Sequence, residues 1–416
     1  MFFTHTPPII YFKNSNFAPC FYFCFMVRTD KFHKWLPLVI LTVAGFTFNT
    51  SELIPIGLLS DIAADFGVTE AHAGLLITIY AWVVALLSLP LTLYFSRVNF
   101  RTLMLWIVGI FLVSHIGSIL SQGFWTLMAS RIGVACAHSI FWSIAPPMAV
   151  AVTPGKDRST ALSAMVAGGG IALVAGLPLG RVLGLIAGWR VTFAALGILA
   201  ALIFIGLYRT LPSLPQSDAS ESRKDILKDV LRSRPLLIIY LITAVIVTGH
   251  YTGYSYIEPF MYRIARMPEQ AITLTLCLFG IAGLFGSYIM SRYFRKYPRR
   301  IIMCACFGLP IIMILLLPAS WVHPGLLAIL CILWGLAITI YNIAFQNEII
   351  VFAPENSAVA MSIYSGIFNL GIGSGAFVGG IVCEHGAMEN IGYIGGSIAL
   401  CAAIYALFRL IPRIKI

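Results

Sequence analysis

Charge is scarce in this chain: Asp, Glu, Lys and Arg make up only 10% of its 416 residues, where a soluble domain carries about a quarter. Apart from the stretch between Leu211 and Arg234 it has no long polar segment, and 59% of its residues are hydrophobic. That excludes a water-soluble globule. Acidic residues are the rarer sign, 16 against 27 basic, for a net charge of +11, but the basic residues are scattered over short loops. Such scatter does not build the continuous groove that nucleic acid requires. No HExxH, GxSxG or GxxxxGK[ST] string occurs, so none of those catalytic sites is expected, and the chain is read as no enzyme. The nine cysteines form no CxxC pair; Cys136, Cys277, Cys304, Cys306, Cys331, Cys383 and Cys401 fall inside apolar runs. Buried thiols are expected there, with neither disulfide nor metal site.

What the chain does have is apolar runs of about 20 residues, the length that crosses a bilayer as helix. They fall near 35–59, 73–95, 102–121, 124–152, 162–187, 190–210, 235–262, 271–293, 300–318, 324–352, 357–383 and 391–411. The expected fold is all-α, with twelve transmembrane helices. All 27 Lys and Arg residues except Arg131, Arg181, Arg190, Arg263 and Arg266 lie in one set of alternate segments. Because basic loops stay on the cytoplasmic side, both termini are expected to be cytoplasmic. Residues 1–34 read as a cytoplasmic leader, with Met26 as an alternative start: Phe17 to Val27 is apolar but too short to span and has no cleavage signature.

The stretch 211–234, with Pro212, Pro215 and five basic residues, reads as a cytoplasmic linker between six-helix halves at 35–210 and 235–416. The halves echo each other. Pro154 leads into Ala161-Leu162-Ser163 as Pro354 leads into Ala360-Met361-Ser362, and Ser96-Arg97 ends the second run as Ser291-Arg292 ends the eighth. Pseudo-symmetric halves with a site between them are how many secondary transporters are built. Glycines crowd the fifth run (Gly168, Gly169, Gly170, Gly176, Gly180) and the eleventh (Gly366, Gly371, Gly373, Gly375, Gly379, Gly380). They permit close helix packing, either as simple packing or as surfaces on which the halves slide.

Two ionisable residues stand inside apolar runs, Glu52 in the first and His138 in the fourth. At membrane depth such groups are functional candidates. Histidine titrates near physiological pH, and a carboxylate kept from water binds its proton more tightly; the two form a candidate proton-handling pair. Arg131 lies further out on the fourth run, as a gate or a strut. The competing reading is a fixed Glu52–Arg131 ion pair, with His138 bonded to a backbone carbonyl. His115 reads as a packed residue. A neutral sugar would need amides, phenols and aromatic planes, and Asn49, Tyr80, Trp82, Tyr251, Tyr254, Asn342, Gln346 and Asn369 supply them. His250, Tyr254 and Glu258 are spaced by four, hence on one helical face, as are Asn342 and Gln346. Glu258 and Glu348, near helix ends, read as solvated or gating groups.

The strings Phe48 to Leu59, Thr78 to Leu86, Ser130 to His138, Gly176 to Arg181, His250 to Phe260 and Ser365 to Asn369 resemble the major facilitator superfamily. Within it they are most similar to bacterial sugar efflux transporters of the SotB type. Ser96 stands where the signature of the loop after the second helix has its acid. The resemblance covers about Trp35 to Pro412. It implies the major facilitator fold, a cavity lined by the first, fourth, seventh and tenth helices, and export of arabinose- or galactoside-like sugars against protons. It also implies a bacterial inner membrane location. No cofactor beyond the proton gradient is expected, and the partners are a small sugar, protons and lipid, with the chain a monomer. Efflux of drugs or nucleosides by the same machinery is the alternative.

Overall fold

The computed structural model describes residues 18–95, 98–154, 158–212, 230–294, 296–353 and 357–414. Every regular element among them is helical. The first seventeen residues of the expected leader, most of the expected linker and the Ser96-Arg97 pair lie outside the described residues.

The first half runs α1 (Ala18–Gly57), α2 (Leu59–Phe66), α3 (Glu70–Tyr94), α4 (Phe100–Ile119), α5 (Phe124–Val152), α6 (Arg158–Ile171), α7 (Leu177–Ala187) and α8 (Trp189–Thr210). The second runs α9 (Arg234–Tyr254), α10 (Ile257–Pro259), α11 (Glu269–Tyr293), α12 (Pro298–Ile314), α13 (Leu316–Val322), α14 (Pro324–Phe352), α15 (Ser357–Glu384) and α16 (Ile391–Arg409). Eleven of these helical stretches are long and apolar enough to cross a membrane, and α12 with α13, bent by 49°, makes a twelfth. The helix count read from hydropathy thus holds. Ala18 to Lys34 joins the first span in one continuous helix.

Prolines set where the spans are irregular. Pro178 has no N–H for the preceding turn and its ring crowds that turn, and the fifth span widens into a π-helical segment, Ala172–Gly176, just before it. Pro259 likewise follows a break: α9 stops at Tyr254, and a second π segment runs over Phe260–Ile264. Such segments recur at functional sites. The break takes Glu258 off the helix that carries His250 and Tyr254, so the expected common face ends at Tyr254.

The glycines are used symmetrically. A methyl on Gly176 or Gly180 would strike Thr50 or Ile54 of α1, and one on Gly184 would strike Leu58 just beyond it; one on Gly371, Gly375 or Gly379 would strike Val247, Thr248 or Thr252 of α9. Each stripe therefore locks a span to its neighbour within one half. On the other face of α15, Gly373 meets Trp82 and Gly380 meets Tyr256 and Ala71. There α15 packs on α3 of the opposite half. The halves also meet where α7 and the π segment before it pack on α11, whereas α6 packs on α1 and α5 of its own half. The surfaces on which the halves meet are thus one face of α15 and the later part of the fifth span, while the fifth-span glycines that face α1 serve packing.

Candidate functional site

Helices α1, α3, α4 and α5 bring a chain of polar groups into the first half. Glu52 Oε2 lies 3.8 Å from His138 Nε2, and His138 Nδ1 lies 2.7 Å from the Tyr80 hydroxyl. An ionised Glu52 orients a neutral His138 with hydrogen on Nε2, and Tyr80 then donates to Nδ1. His138 is buried, while the Glu52 side chain keeps 17% exposure. The carboxyl thus stands at the edge of the network rather than sealed within it.

Arg131 does not close on Glu52. Among the described residues no contact within ion-pair distance joins them; Arg131 Nη1 instead donates to the Ser51 carbonyl at 3.0 Å and to Ser51 Oγ at 3.2 Å. Its guanidinium lies 4.5 Å from the centre of the Tyr80 ring, a cation–π contact strengthened by burial. Nε and Nη2 have no hydrogen-bond partner among the described residues. The fixed Glu52–Arg131 pair is therefore replaced by a looser electrostatic relation, and His138 bonds a phenol rather than a backbone carbonyl. A buried cation with spare donors is costly without a nearby negative charge, and Glu52 supplies one within range of its field.

His115 is buried as expected, but it is also a support. Its Nδ1 donates to the Phe111 carbonyl at 2.9 Å, which leaves Nε2 to accept from Ser51 Oγ at 3.2 Å. Ser51 in turn accepts from Arg131. Nothing in the sequence marks Ser51 for this; its only signal is being next to Glu52.

The candidate substrate residues separate into groups. Asn49 is half-buried on α1 facing Gly169. Tyr80 is committed to His138 and Arg131. Trp82 crosses to the second half, its Nε1 donating to Ser374 Oγ at 3.4 Å and its ring 5.6 Å from that of Phe377. Tyr251 of α9 packs edge-on to His250 and Tyr254 and lies within the field of Glu52. Tyr254 is buried in an aromatic stack between His250, at 5.2 Å, and Phe279, at 4.8 Å. Behind it Trp334 Nε1 donates to His250 Nδ1 at 2.9 Å. Sequence spacing missed Trp334, which stands 84 residues from His250. On α14 the Gln346 amide donates to Asn342 Oδ1 at 3.0 Å, and Tyr364 of α15 donates to the same oxygen at 2.9 Å. Asn369 donates to the Ser365 carbonyl at 3.1 Å, and its Oδ1 is buried without a partner among the described residues.

Further out, Arg181 of α7 joins Glu258 of α10 and Glu269 of α11. Glu258 is buried at 2%, so the solvated reading fails and the gating one survives. Glu348 is also buried. Away from these networks an apolar groove of about 470 Å³ lies between α11, α12 and α14, with Arg300 and Tyr297 at one end. No group of three or more His, Cys, Asp or Glu residues suited to a metal occurs among the described residues.

The two helical halves fit the architecture of a known transporter superfamily. The model of the Major Facilitator Superfamily matches residues 38–358. The chain belongs to the major facilitator superfamily. It is accordingly a multi-pass membrane protein of a transporter family rather than an enzyme. Among solved structures, this superfamily member is similar to a bacterial homologue of the human lysosomal transporter Spinster in an inward-facing, unoccupied conformation. The TM-score there is 0.72 at 16% identity, over 91% of this chain and 95% of that one. It is similar also to a nucleoside transporter, with TM-score 0.72, 13% identity and coverage of 90% and 100%. A D-xylose–proton symporter gives 0.70, 14% identity and coverage of 89% and 96%. At such identities the likeness is one of fold.

Proposed function

We propose that this protein is a proton-coupled antiporter that exports small sugars of the arabinose or galactoside kind by alternating access. The observation that carries the proposal is the Glu52–His138 contact of 3.8 Å, placed inside two membrane spans, with Tyr251 of the other half within the field of Glu52. Ionised, Glu52 offsets the Arg131 charge and attracts the His138 Nε2 hydrogen. Protonated, it leaves Arg131 uncompensated and frees His138 to turn. The two arrangements place different charge in the cavity, so each favours a different state of the two halves. The sugar class is supported by the resemblance, by a D-xylose–proton symporter among proteins of like fold, and by the amides of Asn342, Gln346 and Asn369 as hydrogen-bonding groups. Both the bacterial inner membrane location and the cytoplasmic termini rest on the basic loops and the resemblance.

Counterflow of labelled sugars, nucleosides and amphipathic drugs in proteoliposomes, with and without a pH gradient, tests the proposal. Gradient-driven sugar flux that vanishes in Glu52→Gln supports it. Movement of nucleosides or drugs with none of sugars would assign the other cargo, and unaltered coupling in both Glu52→Gln and His138→Ala would remove the proposed proton site.

A further inference from the structure

The end of the bundle that is poor in Lys and Arg is shut by charged groups drawn from both halves. Arg181, buried at 1% on α7, reaches Glu258 Oε1 at 3.3 Å through Nη1, donates to the Gly57 carbonyl, and through Nη2 donates to Glu269. Ser60 of α2 donates to Glu258 Oε2 at 2.9 Å. Asp61, its neighbour, lies in the fields of Arg181, Glu258 and Glu269. A second ion pair, Arg263 with Glu70, also crosses the halves.

Within the first group the charges do not balance. One guanidinium serves two carboxyl groups, those of Glu258 from α10 and Glu269 from α11, and the half-buried Asp61 of α2 lies within their field. Closing the halves takes an ionised Glu258 carboxylate out of water, while the guanidinium beside it is shared with Glu269, whose side chain stays 40% exposed; part of the Glu258 charge is then left uncompensated, which is unfavourable. A proton removes that charge. We infer that the cluster binds a proton as this mouth closes, with Glu258 as its acceptor, so that the protein holds a second proton site apart from the Glu52–His138 pair.

The direction of the effect follows from linkage. Glu258 lies beyond the end of the membrane-spanning helix α9. In the closed mouth burial outweighs the opposing Arg181 charge and the Ser60 hydrogen bond, Asp61 and Glu269 add to it, and the carboxyl is pushed up from 4.5 to about 7. Asp61 is raised as well, chiefly by burial. With the mouth open and the carboxyl hydrated, Glu258 returns to the ordinary range. A group that holds its proton more tightly in the closed state favours closure as pH falls below about 7, and contributes nothing to closure above it. Acid at this face therefore shuts it and turns the cavity toward the other side. The inference rests on alternating access and not on the identity of the cargo.

Spin labels at Gln122 and Glu389, exposed positions in the two halves at the basic-poor end, report the mouth directly in an otherwise cysteine-free full chain. Double electron–electron resonance between them is expected to shift toward short separations as pH is lowered, with a midpoint between 4.5 and about 7. Glu258→Gln, neutral at every pH, is expected to stay at the short separation throughout, while Glu258→Asp keeps a pH-dependent shift. A parent protein whose separations ignore pH overturns the inference. So does a midpoint that survives in Glu258→Gln but is lost in Glu52→Gln, since the proton then belongs to Glu52. No substrate is needed, so a protein that moves no sugar still answers.

Discussion

The Tyr80 hydroxyl lies 2.7 Å from His138 Nδ1, and the face of the same ring carries the Arg131 guanidinium at 4.5 Å. One side chain thus orients both the base and the cation of the candidate proton site. Phenylalanine would keep the cation–π surface and remove only the hydrogen bond. Tyr80→Phe is expected to cost about 1 kcal/mol of that interaction and to shift the pH profile of gradient-driven exchange, while leaving counterflow at zero gradient near the parent rate. Equal loss of both rates would mean that Tyr80 only holds the fold.

Glu52 and His138 are expected to act as one unit. Glu52→Gln and His138→Ala should each reduce gradient-driven flux at least about tenfold, equivalent to about 1.4 kcal/mol, and the double variant should be little worse than either alone. Initial rates in proteoliposomes over a range of internal pH decide this. Additive losses would show two independent roles.

Gly74 of α3 faces Tyr256 of the other half, whose hydroxyl donates to the Ala376 carbonyl at 3.0 Å. A Cβ on Gly74 would lie 2.7 Å from the ring carbon bearing that hydroxyl, and Gly379 and Gly380 hold the ring from behind. Gly74→Ala should therefore disfavour the closed mouth by about 1–3 kcal/mol and lengthen the Gln122–Glu389 separation. Adding Tyr256→Ala should restore much of the closed population. No recovery in the double variant would place the clash elsewhere.

Trp334→Phe removes the donor to His250 Nδ1 in a buried site. Leaving that nitrogen unpaired is expected to cost about 1–3 kcal/mol, read as a lower melting temperature of the purified protein in detergent. Restoring most of the loss with His250→Phe in the same protein would confirm that the unpaired nitrogen, and not lost ring packing, is the cause.

Membrane class, helix number and the halving of the chain were all legible from the sequence, because hydropathy and the spacing of basic loops are local properties that each span carries alone. Glu52 and His138 stood out for the same reason: an ionisable group in an apolar run is conspicuous without knowing its partner. The partners of Arg131 were not legible. It bonds Ser51, 80 residues away, because α1 and α5 present those faces to each other, and neither helix records the rotation of its neighbour. The glycine stripes were visible, yet only the packing showed that those of the fifth span hold α1 while one face of α15 meets the opposite half. The Arg181–Glu258 contact joins residues from separate halves across a proline-associated break that takes Glu258 off its expected helical face. Local sequence set which groups were available; the crossing of helices decided which charges meet.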